Sequence, residues 1–237
     1  MSQTSEEPPS LLAFTIRRSL ITGRVTIAVG TGLSVLYAVI LALESGSAFA
    51  STLPLLLPAF TVIGALGGVM VFTSDRLKGV FEYLLAYGVT PRRIFLNILL
   101  TSFVLVTIVL GASLIVGLGV YSATGKTVST NFALALGVYS LPMSYASVAF
   151  AATVGMFWTS LSSPREGMNS QIGLLPLIGV APPLLTLLAA TGAGAVFGAF
   201  YVYVVIGASV LLLSLIVVIL LSRIDRLMPR ERLLSPA

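Results

Sequence analysis

Residues 75–93 read DRLKGVFEYLLAYGVTPRR, the one long polar-interrupted stretch between segments so apolar that they belong in lipid. Leu77, Val80, Phe81, Leu84 and Leu85 fall at i, i+3, i+4, i+7 and i+8. That spacing gathers them on one helical stripe, while Asp75, Arg76, Lys78 and Glu82 face away. The pattern predicts a short helix lying flat on the membrane, with one face on lipid or on other spans and the other offered to water. Gly88 follows the last periodic residue as a C-terminal stop. Thr90 and Pro91 then supply an N-cap and a first-turn proline for the next helix. Two helices are thereby joined by a tight corner. Read without any partner, the same stretch is a solvated amphipathic connector.

The segments on either side set the class. Hydrophobic residues make up 57% of the 237 and charged residues 9%, with a mean hydropathy of +1.06. Charged residues are about a quarter of a soluble domain, so this is an all-α integral membrane protein. The length holds five or six spans of about 20 residues with short loops. One membrane domain over 1–237 is expected, with a cytoplasmic or interfacial lead (1–24), a cytoplasmic loop (74–93) and a cytoplasmic tail (223–237). No cysteine and no histidine is present. That removes thiol chemistry, the commonest metal ligand, the commonest general base and any Ser-His hydrolase. The polar start, with Glu6, Glu7, Pro8 and Pro9, does not have the form of a cleavable signal peptide.

In chain order, Leu12, Ile16 and Leu20 recur every four residues beside Arg17, Arg18 and Arg24. This suits either an interfacial helix at headgroup level or the beginning of the first span. The first span runs from Val25 to Leu43 and is followed by a small-residue loop through Thr52. The second, Leu53 to Thr73, has Pro54 and Pro58 near its outer end and Gly64 and Gly68 at small-xxx-small spacing, which lets another helix approach. The third is Ile94 to Val120. In the following loop ATGKT (123–127) ends like a phosphate-binding loop, but Val120 stands where its first glycine is needed. The fourth, Phe132 to Thr159, carries Pro142 amid Tyr139, Ser140, Ser144, Tyr145 and Ser147. Those hydroxyls either line a pathway or bond across to neighbouring helices. Trp158 is placed to anchor at an interface. The fifth span, Ile172 to Ala190, holds Pro176, Pro182 and Pro183 and is expected to be bent or broken before a glycine-rich outer stretch, Thr191 to Gly198. The sixth is Phe197 to Ser222.

On this topology Lys126 alone, of 13 Lys and Arg, lies on one side. The others fall in the lead, the 74–93 loop, the loop around Arg165 and the tail. The positive-inside rule then puts both termini and the flat helix in the cytoplasm. The basic residues thus sort by membrane side and give no reason to invoke nucleic acid. No charge falls in the central part of a span, although ion-coupled transporters keep ionisable groups there. The same absence disfavours intramembrane proteases, and it favours a hydrophobic or amphipathic cargo over a small ion.

GVFEYLLAYGVTPRRIFLNILL (79–100) resembles the segment after the second span of ABC-2-type permeases, the membrane subunits of one class of ATP-driven exporter. Gly79, Glu82, Leu84, Leu85, Ala86, Val89, Pro91, Arg92, Ile94, Leu99 and Leu100 fit the family pattern; Val80, Gly88, Asn97 and Ile98 depart from it. The resemblance implies six transmembrane helices in the plasma membrane, with a coupling helix that sits in a cleft of an ATP-binding subunit through Arg76, Lys78, Gly79, Glu82, Leu84, Leu85, Pro91 and Arg92. It implies a catalytically silent chain that binds no cofactor, with ATP and Mg on the partner subunit. It implies a second permease copy, identical or paralogous, met through the first and fifth spans, where Gly30 and Ser34 allow close approach. It likewise implies that the outer piece before the last span forms short re-entrant helices. On this reading Tyr139, Ser140, Ser144 and Tyr145 are the candidate pathway-lining residues. The rivals are a self-sufficient secondary transporter, for which an in-membrane acid or an inverted repeat is expected, and a non-transport scaffold.

Overall fold

A computed structural model describes residues 11–44, 46–66, 80–157, 175–197 and 199–223, and among these all regular structure is helical. The elements are α1 (Leu11–Thr22), α2 (Arg24–Leu43), α3 (Gly46–Ala65), α4 (Val80–Ala86), α5 (Pro91–Ala123), α6 (Thr130–Ala135), a π-turn (Leu136–Ser140), α7 (Leu141–Phe157), α8 (Leu175–Phe197) and α9 (Ala199–Ser222). Five segments, in α2, in α5, across α6–α7, in α8 and in α9, are long and apolar enough to cross a membrane. In α3 the apolar run is shorter, Thr52–Ala65. Large apolar side chains point outward from several of these helices, among them Ile115 (76% exposed), Leu188 (67%) and Leu211 (73%). Inside are small residues, among them Ala38, Ala42, Ala65, Ala151, Ser34 and Ser113, all fully buried. The small residues let the helices approach closely, and large apolar side chains such as Phe95, Leu57 and Leu105 are buried beside them.

The long helices alternate in direction. Ile27 of α2, Leu66 after α3, Ile94 of α5, Ala152 of α7, Val180 of α8 and Leu221 of α9 meet at one end. Leu41, Leu53, Leu110, Tyr121 and Phe132 meet at the other. A third cluster joins α7 to α8 and α9 through Met143, Ala190, Ile206 and Val210. At the second end Lys126 Nζ donates to the carbonyls of Ala42 (3.3 Å) and Glu44 (2.8 Å) and lies 5.5 Å from the centre of the Tyr121 ring. A cation on the last carbonyls of α2 meets both their unsatisfied acceptors and the negative end of the helix dipole. The lysine of the phosphate-loop lookalike is thus a helix cap.

Several sequence expectations need correction. Residues 46–52, expected as loop, are already helical in α3; the small residues among them lose little side-chain entropy on folding. Gly30 and Ser34, expected to face a second copy, are buried inside the chain. A Cβ on Gly30 would lie 2.3 Å from Gly64 N, so α2 and α3 cross backbone to backbone there. Ser34 Oγ is 2.6 Å from Ser113 Oγ of α5. Gly64 does admit a neighbour as expected, Val109 of α5 as well as Gly30; Gly68 lies outside the described residues. The fifth span is neither broken nor re-entrant: α8 continues through Pro182, Pro183 and the glycine-rich stretch to Phe197. Gly194 stays helical because Val202 of α9 packs where its Cβ would be, and Thr186 Oγ1 donates to the Pro182 carbonyl (2.9 Å). α1 is a separate helix, broken from α2 at Gly23 and packed on α2 and α5.

Candidate functional site

The corner after α4 is built by a few backbone bonds. Gly88 takes φ +80, a left-handed conformation that only glycine adopts without cost. Its N–H donates to the Leu85 carbonyl (3.1 Å) and the Val89 N–H reaches back to that of Leu84 (3.0 Å). This pair of bonds is the Schellman stop, usually accompanied by an apolar contact between the residues it joins; here Leu84, Leu85 and Val89 all pack against the first core cluster. Thr90 is extended (ψ 148), its Oγ1 accepts from the Arg93 N–H (3.3 Å), and Pro91 opens α5. The stop, the cap and the proline are where the sequence puts them.

With Leu84 and Leu85 turned inward, α4 presents Glu82, Tyr83 and Tyr87 outward. Tyr83 is 70% exposed and Tyr87 85%. These tyrosines escape a reading based on charge, although their spacing of four residues puts them on one face. Exposed tyrosines are among the residue types enriched in protein interfaces. Pro91 is half-buried, and Arg92 is exposed on the first turn of α5. Arg76, Lys78 and Gly79 lie outside the described residues, as do Leu77, Trp158 and Arg165.

No protein-family model, curated protein or solved structure matches this chain.

The four hydroxyl residues around Pro142 point to different neighbours. Tyr145 Oη is 2.7 Å from Thr107 Oγ1 on α5, and its ring meets Phe103 edge-on at 5.2 Å. Ser144 donates to the Ser140 carbonyl (2.6 Å) within its own helix. Ser140 Oγ donates to the Pro54 carbonyl of α3 (2.6 Å). That carbonyl has no partner within α3, since the residue four positions on is Pro58, which lacks an N–H. Tyr139 is buried among α8 and α9 residues. Tyr139, Ser140 and Tyr145 therefore serve contacts between helices while Ser144 bonds within its own, and Tyr139 and Ser140, adjacent in sequence, grip different partners. Replacing Ser140 by alanine should cost about 1–3 kcal/mol, the penalty for a buried orphan carbonyl, read as a lower melting temperature in detergent. An unchanged melt would mean that the Pro54 carbonyl finds another donor.

Proposed function

We propose that this chain is the membrane-spanning permease subunit of an ABC-2-type exporter in the plasma membrane. The observation that carries the reading is the corner: a short helix pinned by its leucines to the bundle, with Glu82, Tyr83 and Tyr87 exposed beside it. In this reading α3 continues as a sixth span, both termini are cytoplasmic, and α4 belongs to a coupling helix held in a cleft of a separate ATP-binding subunit. ATP and Mg are bound and used on that subunit, and this chain has no catalytic site. The translocation pathway forms with a second copy or a paralogue. The uncharged spans favour a hydrophobic or amphipathic cargo. A self-sufficient secondary transporter fits less well, since no span has an ionisable group in its central part.

Topology is the first test. Cysteines placed singly at 44 and 126 are expected to react with a membrane-impermeant maleimide in intact cells, and one at 92 only after permeabilisation. The chain has no native cysteine, so each label reports one site. Labelling of position 92 from outside would sink the topology and the coupling role together. The second test is affinity purification from the native membrane, in which a nucleotide-binding subunit is expected to co-purify.

A further inference from the structure

The π-turn Leu136–Ser140 joins two helical pieces that different parts of the bundle hold. Before it, Phe132 of α6 is buried with Leu41, Leu53 and Leu110. After it, α7 is fixed at the opposite end through Val148, Ala151 and Ala152. Within the turn the Leu141 N–H closes on the Leu136 carbonyl, five residues back. Pro142 comes next and can donate neither to Val138, as an α-helix requires, nor to Gly137, as a π-helix requires. The Pro142 donor is missing in either register, so a change of register here breaks one backbone bond fewer than in an uninterrupted helix.

Two residues of the turn are in opposite condition. Ser140 is tied to α3 through the Pro54 carbonyl. Tyr139 is 2% exposed among Met143, Ala190, Ile206 and Val210, and its Oη has no hydrogen-bond partner among the described residues. A hydroxyl held that way disfavours the position it occupies, because it is buried without a hydrogen bond to offset the burial. The ring favours the position through its apolar contacts, and the hydroxyl opposes it.

We propose that this turn is a built-in hinge with Tyr139 as its latch. The segment Thr130–Ser140 moves against α7 by passing from the π to the α register, which turns the helix by about 100° at the point of change. Tyr139 leaves the α8–α9 cluster and its hydroxyl gains an acceptor, while the Ser140–Pro54 bond serves as the pivot. The hinge belongs to this chain alone and does not depend on the transport reading.

Hydrogen exchange of the full chain in lipid nanodiscs tests it. Tyr139→Phe keeps the ring and removes the opposing hydroxyl. The amides of Leu136–Leu141 are then expected to exchange roughly tenfold more slowly, the equivalent of about 1.4 kcal/mol, with a higher melting temperature. Pro142→Ala restores the missing donor and should slow the same amides, and Ser140→Ala should quicken them by freeing the pivot. Unchanged or faster exchange in Tyr139→Phe overturns the hinge, since the hydroxyl would then have no influence or already have a partner.

Discussion

A chain carrying Glu82→Lys is expected to reach the membrane at wild-type level and to transport nothing. Glu82 is exposed on α4, and the residues that seat this helix, Leu84 and Leu85, lie on its other side. Surface substitutions of that kind change stability by about 0.5 kcal/mol or less. At a desolvated contact with an ATP-binding subunit, reversing the charge would instead cost roughly 2–5 kcal/mol. The two magnitudes separate folding from coupling. If the chain is the proposed permease, membrane abundance should hold while cargo movement stops and hydrolysis by the partner no longer responds to cargo. Tyr83→Ala and Tyr87→Ala should weaken assembly in the same direction. Normal transport by a well-expressed Glu82→Lys protein would remove this carboxylate from the mechanism, and disappearance of the protein from the membrane would make its role structural.

The largest effect on folding is expected at Gly30. A Cβ there would meet Gly64 N at 2.3 Å, Gly64 Cα at 2.4 Å and the Ile63 carbonyl carbon at 3.1 Å. All three are backbone atoms, so no side chain can turn aside and the helices themselves must part. Gly30→Ala should therefore cost about 3 kcal/mol, the upper range for overpacking, and lower the melting temperature sharply. Gly32, two residues on, supplies the control. A Cβ there meets nothing within 4 Å, so Gly32→Ala should be neutral or stabilise by about 0.5–1 kcal/mol. Equal melting of the two variants would refute the backbone crossing. A change confined to the oligomeric state would return Gly30 to a contact between copies.

The features legible in the sequence are those a few local residues decide. Gly88, Thr90 and Pro91 set the corner through backbone conformation and capping, and neither depends on distant packing. The long apolar helices follow from composition and length. Harder to see were features that require knowing which helix faces which. Gly30 and Ser34 have the small-residue signature of a close approach, but that signature does not say whether the approaching helix is in the same chain. The proline pair in α8 points to a break, yet the helix runs whole through it, packed so closely at Gly179 that a Cβ there would meet the Val62 and Ala151 side chains. The aromatic face of α4 was overlooked because attention to charge passes over tyrosine. The π-turn carries no local signature beyond Gly137 and Pro142.

One consequence follows from α5, whose 33 residues run unbroken from the corner to the loop of Lys126. At 1.5 Å per residue it is about 50 Å long, against about 30 Å of hydrocarbon, and no proline follows Pro91 within the helix. It buries side chains along its whole length, from Ile94 and Phe95 beside the corner, through Val109 and Ser113, to Tyr121 beside the loop of Lys126. With no free arm at either end, it joins the corner to that loop as one packed rod. Spin-label distances from positions 92 and 123 to a fixed site on α2 should therefore change together or not at all.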